Sequence, residues 1–395
     1  MNTVGIYVQV PFCASKCSFC NFSSRVAHES VFAGYCRAIE QEVERLSRPA
    51  SPDAAEDVAR TLVDFVVDTL YLGGGTPSIV GRECLQHTLG ALRRHFQFTA
   101  SPEMTIEITP GSADDDLLEC LRALGVNRLS VGAQSFEDCE LRAVGRLHSA
   151  AETVGQVLRA RANGFGNISL DLIGGLPHQT QASWLRSLRA ALDLKPEHVS
   201  VYLFEVDEKS RLGNEVLHRG GRYHASAVPD DDFMAWAYET ACEMLAGAGY
   251  RQYEISNFAW LGYESRHNLK YWELKPYLGL GAGAHSFDGI RRWSNEVSPE
   301  VYVAKLGRGE SPVREVRTLA LEEQLEEFFF LGLRQCRGVD LALAAQRWGE
   351  ERFARWKGRI EKLEQDGWVE RHDKRLRIPE QAYLVSNEIF QEFLL

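Results

Sequence analysis

Three features of the sequence predict an α/β fold. Strand-like runs alternate with helix-like segments six times before residue 207, glycines close several of those segments, and polar or special residues recur just beyond the strands. Such alternation calls for a mainly parallel sheet with right-handed crossovers. Its helices lie on one side if the sheet curls into a barrel, and on both sides if it stays open. In either arrangement, ligand-binding groups gather at the C-terminal ends of the strands.

The strands are expected at residues 4–10 (VGIYVQV), 65–72 (FVVDTLYL), 103–108 (EMTIEI), 127–133 (NRLSVGA), 167–173 (NISLDLI) and 198–206 (HVSVYLFEV), each rich in β-branched or aromatic residues. Helical spacing marks residues 31–46, 114–124, 150–163 and 182–194, with Gly125 and Gly164 as stop signals. The proline-containing stretch 48–57 reads as a polar surface loop. Residues 230–246 open on three aspartates, which suit a helix N-terminus, and YRQYEISNFA at 250–259 reads as a strand entering a polar loop.

The last hundred residues change character. EEQLEEFFFLGLRQ, LALAAQRWG and ERFARWKGRIEKLEQDG read as three helices, followed by a short hairpin in WVERHDKRLRIP, the order of a winged helix. Residues 351–377 hold nine Lys/Arg against six Asp/Glu, an excess too small for a DNA-reading helix, so a covering or interaction unit is expected. The expected division is 1–225, 226–300 and 301–395.

With 45% hydrophobic and 25% charged residues the composition is that of a globular protein, and 395 residues leave room for two or more domains. A formal charge of −11 argues against general affinity for DNA or other nucleic acid. No run approaches the roughly eighteen apolar residues of a membrane span, and the first residues lack the pattern of a secretory signal. A cytoplasmic protein with no transmembrane segment is expected, with peripheral membrane contact left open.

The total of nine cysteines is odd, which argues against a disulfide framework. Cys36, Cys84, Cys120, Cys139, Cys242 and Cys336 are spread singly and read as small packing residues. Cys13, Cys17 and Cys20 differ, because C-x3-C-x2-C directly after the first strand can place three thiolates on one face of a compact metal centre. A structural zinc needs a fourth protein ligand, and no second C-x2-C supplies one; a zinc completed by His28 is the competing reading. A four-iron cluster held by three cysteines keeps one iron open to a small molecule.

The same edge of the expected sheet collects other special residues. GGGTPS (73–78) follows the second strand, Glu107 ends the third, Gln134 follows the fourth and Asp171 lies late in the fifth. One such residue is an ordinary turn or a buried polar group, but a series in register points to one shared site.

On these residues the sequence resembles the radical S-adenosylmethionine superfamily. The resemblance implies a partial (β/α)6 barrel with an appended C-terminal winged-helix-like α+β domain, and a [4Fe-4S] cluster on Cys13, Cys17 and Cys20. It also implies S-adenosylmethionine chelated to the open iron. It narrows to the coproporphyrinogen dehydrogenase branch and its HemW-type haem chaperone relatives, over essentially the whole chain. By this resemblance Tyr7 lies beside the cluster, and Gly74, Gly75 and Thr76 form the methionine-binding loop, with the amides exposed by residues 73–75 suiting the methionine end. Glu107, Gln134, Arg146 and Asp171 fall at cofactor-contact positions, where carboxylates suit ammonium or ribose hydroxyls and Arg146 suits a carboxylate.

Two departures separate the chain from coproporphyrinogen dehydrogenases as that resemblance describes them. Phe22 stands where they carry a fourth cysteine, and Cys13 is close to Met1, leaving no room for their N-terminal extension. YEISNFA (253–259), HNLKYW (267–272) and GLGAGAHS (279–286) look like HemW-type signatures. Histidine is a competent axial ligand to haem iron, and aromatic neighbours cover a porphyrin face. His267 is therefore the first candidate ligand and His285 the second, with Tyr271 and Trp272 beside the haem. The reading is a haem chaperone delivering haem to acceptor proteins, with an electron donor if the cluster is reduced. The alternative is a radical enzyme acting on a tetrapyrrole, by coproporphyrinogen III decarboxylation or haem ring opening, and whether the chain is an enzyme stays undecided on sequence.

Overall fold

A computed structural model describes residues 2–47 and 58–394, so the loop expected at 48–57 lies outside the described residues. Strands β1 (Thr3–Val10), β2 (Val66–Gly74), β3 (Phe98–Ile108), β4 (Arg128–Gln134), β5 (Ile168–Gly174) and β6 (His198–Leu203) lie side by side in chain order, all parallel. All six expected strands are present, with the third beginning earlier than its apolar run suggested.

Their sequences alternate, and the alternation decides which face is which. Val4, Ile6, Val8, Leu70, Leu72, Ile106, Leu129, Val131, Leu170 and Val199 are fully buried in one cluster beneath the crossover helices. These helices are α1 (Phe32–Ser47), α2 (Gly81–His95), α3 (Asp115–Ala123), α4 (Asp138–Ala143), α5 (Ala150–Ala162) and α6 (Gln181–Asp193). Intervening positions, including Tyr7, Glu107, Arg128, Asp171 and His198, carry polar groups to the concave face. Helix starts are capped locally: Asp114 accepts from Leu117 N, and Ser149 and Glu152 form a reciprocal capping box. Helix α2 escaped notice in the sequence because GRECLQHTLGALRRH carries its apolar stripe among polar and basic residues.

The sheet extends beyond the six strands at both edges. After α7 (Arg211–Leu217) and α8 (Asp231–Gly247), the stretch read as one strand and a loop is a hairpin, β7 (Arg251–Glu254) and β8 (Asn257–Ala259), with β8 antiparallel to β6. Helix α9 (Arg266–Trp272) follows. Strand β9 (Tyr277–Leu280) joins the opposite edge parallel to β1, and β10 (His285–Phe287), β11 (Arg291–Asn295) and β12 (Val313–Thr318) continue it antiparallel. The result is a twelve-stranded sheet in the order β12-β11-β10-β9-β1-β2-β3-β4-β5-β6-β8-β7, curled but open, because β12 and β7 do not pair.

The second core comprises α11 (Leu321–Gly332), α12 (Leu341–Trp348), α13 (Glu350–Gln365) and α14 (Ser386–Gln391), with a small sheet of β13 (Val339–Asp340), β14 (Glu370–His372) and β15 (Arg375–Arg377). It closes on Phe329, Trp356 and Phe393, in the helix–strand–helix–helix–hairpin order of a winged helix. The boundary expected at 301 moves, because α10 (Pro299–Gly307) and β12 pack with the large sheet. Residues 226–300 likewise share the barrel's core through Ala237, Leu245 and Phe258. The C-terminal unit covers the edge strand β7, where Cys336 N donates to Tyr253 O at 3.1 Å and Ile255 N to Arg334 O at 3.1 Å. Among the described residues no helix is long and apolar enough to cross a membrane.

A buried acid ties the extension to the barrel. Glu42 on α1 accepts hydrogen bonds from Tyr302 OH (2.5 Å), Asn295 Nδ2 (2.6 Å) and Gly281 N (2.9 Å). Burial nevertheless lifts its carboxyl from 4.5 to about 7. The folded state therefore holds a proton that the unfolded state releases above pH 4.5, so stability falls as pH rises towards 7. Glu42→Gln should lack this dependence: wild type is expected to lose about 3 kcal/mol relative to the variant between pH 4.5 and 7.5, read from urea unfolding at both ends.

Candidate cofactor cavity

A cavity of about 800 Å³ opens at the C-terminal ends of the six parallel strands. Cys13, Cys17, Cys20, Gly74, Gly75, Thr76, Glu107, Gln134, Arg146 and Asp171, brought together from five strands and their loops, all line it. Tyr7 does not: its ring lies beside Tyr71 (centroids 6.0 Å apart) and its hydroxyl donates to Gln9 Oε1 at 2.9 Å.

The cysteines sit on the loop between β1 and α1, anchored by a short parallel pairing of Phe12–Cys13 with Arg25–Val26. Cys17 is buried and the other two half-buried, with burial pushing the Cys13 thiol up. Arg146 Nη1 lies 3.6 Å from Cys17 Sγ, while its Nη2 donates to Gly132 O at 2.6 Å. This places a cation against the sulfur. Among the described residues no three His, Cys, Asp or Glu side chains converge on a point that could hold one metal ion. Exposed His28 is bonded instead to Ser30, so the zinc reading has no assembled site. Three thiols spread around one wall fit the polynuclear cluster, whose irons are ligated separately.

The glycine loop works differently from the sequence reading. Its amides are not free: Gly74 N donates to Glu107 Oε2 (3.1 Å), Gly75 N to Val10 O (2.7 Å) and Thr76 N to Phe12 O (2.7 Å). A Cβ on Gly75 would lie 2.3 Å from Phe12 O, and one on Gly74, at φ +111°, would lie 2.5 Å from Gln9 Nε2. The glycines thus let the loop lie directly on the cysteine loop.

Glu107 also accepts from Tyr71 OH at 3.0 Å, and burial lifts its carboxyl to about 7 with the Asp171 charge adding to the effect. Asp171 accepts from Ser130 Oγ at 3.1 Å and is likewise raised, chiefly by burial. Gln134 ends β4 at φ +66°, an uncommon conformation for a non-glycine residue. Arg128, Ser130, His148, His198, Ser200, Tyr202 and Asn268 also line the cavity and were missed by motif reading. The period-two alternation of NRLSVG and HVSVYL carries the signal for most of them.

The HNLKYW segment forms helix α9 and plugs the N-terminal end of the barrel. Glu103 accepts from the backbone N of Arg266 and of His267 (3.0 Å each), and Lys270 Nζ pairs with Asp68 at 2.7 Å. His267 is 1% exposed, with Nδ1 2.8 Å from Thr69 Oγ1 and Nε2 2.9 Å from Tyr271 OH. Burial, then the Lys270 and Arg128 charges, hold its imidazole down at about 3 and hence neutral. Both ring nitrogens are engaged, so in this arrangement neither is available to iron. Half-buried Trp272 lies under the Arg334 guanidinium (4.5 Å), and exposed His285 stands apart on β10. The four residues expected around haem do not form one surface here: Tyr271 meets His267 and lies edge-on to Trp272 (ring centroids 6.4 Å apart), while His285 is on β10.

Residues 7–191 match the radical SAM superfamily and residues 319–385 the HemN C-terminal domain. Heme chaperone HemW of Bacillus subtilis is 34% identical over 390 residues, covering 98% of each chain. The chain belongs to the HemW family of radical SAM proteins. Heme chaperone HemW of Mycobacterium tuberculosis is 32% identical over 99% of this chain and 94% of its own. The fold matches that of Escherichia coli coproporphyrinogen III oxidase (HemN), with a TM-score of 0.83 at 23% identity over 99% of this chain and 90% of the other. Radical SAM membership implies a [4Fe-4S] cluster and S-adenosylmethionine, and the donor set at the mouth of the cavity suits both.

His267→Ala should destabilise this HemW-family chain by about 2–4 kcal/mol, because it empties a packed site and strands the Thr69 and Tyr271 hydroxyls. Tyr271→Phe should cost about 1 kcal/mol. Thermal or urea unfolding of the two variants checks both.

Proposed function

We propose that this protein binds a [4Fe-4S] cluster through Cys13, Cys17 and Cys20, holds S-adenosylmethionine in the cavity, and carries haem to acceptor proteins. The observation that carries the reading is the end-to-end match to proteins named heme chaperone HemW, on a chain whose position 22 is phenylalanine rather than a fourth cysteine. Nine free thiols suit a reducing, cytoplasmic setting.

The roles follow from the geometry. Arg146, beside Cys17 Sγ, is placed to receive the cofactor's carboxylate. The Glu107 carboxyl suits its ammonium, Asp171 suits ribose hydroxyls, and Gln134 supplies an amide at the rim. When bound and reduced by an electron donor, the cluster supplies the electron that radical chemistry on the sulfonium requires. Haem ligation by His267 asks α9 to release the imidazole from Thr69 and Tyr271, whereas His285 is accessible as it stands.

A second reading, radical chemistry on a tetrapyrrole, is favoured by the fully built cavity, since a pure carrier has no need of it. Anaerobic turnover followed by product analysis separates the two: stoichiometric decarboxylated or ring-opened tetrapyrrole establishes the enzyme and ends the pure carrier.

Cys17→Ser is expected to abolish the cluster's visible absorption after reconstitution, while Cys139→Ser, altering an exposed thiol on α4, leaves it unchanged. Equal loss in both would refute the ligand assignment. Anaerobic haem titration of reconstituted protein should show a saturable Soret change near one haem per chain. His285→Ala and a folded His267→Gln then show which histidine shifts the band, and no saturable binding in wild type removes the carrier reading.

A further inference from the structure

The floor of the cavity holds a cation that the assigned cofactor contacts do not use. Arg128 opens β4, is only 2% exposed and lines the cavity, yet its Nε has no hydrogen-bond partner among the described residues. Thr105 Oγ1, on the register partner of Arg128 across β3, is likewise buried without a partner. The nearby carboxylates are committed elsewhere: Glu107 to Tyr71 and Gly74, Asp171 to Ser130. Asn268 reaches the same cavity from α9, the one residue of the HNLKYW motif that does so.

A buried guanidinium with an unused donor carries a large desolvation cost unless a partner arrives. The partner it best matches is a carboxylate, taken through charge-assisted and often bidentate hydrogen bonds. Asn268 adds an amide donor from α9. Arg146 already stands at the cluster end of the cavity beside Cys17. The two guanidiniums therefore serve different places, and the one at the floor lies a full strand length below Gln134 on β4.

We propose that Arg128 and Asn268 form a carboxylate subsite at the floor of the cavity, taken by a propionate-type carboxylate of a tetrapyrrole bound in addition to S-adenosylmethionine. The proposal rests on the haem-binding reading and goes beyond it in assigning an anchoring point. It also assigns the HNLKYW motif two tasks: His267, Lys270 and Tyr271 build the plug, and Asn268 meets the ligand.

The test is an anaerobic titration of the reconstituted full chain with haem and with the dimethyl ester of haem, followed by the Soret band. S-adenosylmethionine affinity is measured alongside by equilibrium dialysis. Wild type should bind haem at least tenfold more tightly than the diester. Arg128→Gln should weaken haem about tenfold while leaving the diester and S-adenosylmethionine within about threefold, Asn268→Ala should weaken haem less, and Arg128→Lys should keep part of the preference. Equal wild-type affinity for haem and diester overturns the subsite and leaves the haem reading intact. So does an Arg128→Gln variant that loses S-adenosylmethionine and haem alike, which makes Arg128 a counter-charge for Glu107 and Asp171. No binding of either tetrapyrrole by wild type overturns both proposals. Cluster absorbance and circular dichroism report folding, and if the glutamine variant fails to fold, Arg128→Lys decides: an unchanged preference for haem over the diester overturns the subsite.

Discussion

Everything in this molecule depends on placing charge inside a sheet. The six parallel strands turn their apolar residues outward, under the helices, and their polar residues inward, around an open lumen. Burying Glu107, Asp171, Arg128 and His198 would cost many kcal/mol if each stood alone. The strands reduce that cost by arranging partners across neighbouring registers: Tyr71 beside Glu107, Ser130 beside Asp171, Ser169 beside His198. Arg128, whose Nε is left without a partner, lines the cavity, where a ligand has most to gain.

The rest of the chain maintains that lumen. Helix α9 seals its lower end by giving two backbone amides to Glu103 and a lysine to Asp68. The extension through β9 to β12 buttresses the cysteine-loop side, locked by the acid at Glu42. At the other edge the C-terminal unit pairs its own backbone with β7, covering a strand that would otherwise present free amides and carbonyls. A winged-helix topology is here a covering element for an α/β sheet, in keeping with the weak basic excess of its third helix.

The cysteine loop and the glycine loop illustrate how function constrains backbone. The two lie against each other so closely that Gly75 has no space for a side chain. Their hydrogen bonds, together with one to Glu107, engage the loop amides.

The six strands, most of the crossover helices and the shared edge of the special residues were legible because alternation, helical spacing and stop signals are local properties of the chain. Cys13, Cys17, Cys20, Glu107, Gln134, Arg146 and Asp171 could be placed at one cavity because parallel strands bring their C-terminal ends together whatever their exact register. The roles of His267 and Tyr271 were not legible. Whether a histidine beside aromatic residues is a ligand or a plug depends on what packs against it, and Thr69 is nearly two hundred residues away. The sequence alone determined the six strands, the shared edge of the special residues and the three-thiol loop, since these follow from periodicity and spacing. Only the tertiary structure decided which polar groups are already satisfied and which still await a partner, because hydrogen-bond satisfaction is set by contacts between distant segments.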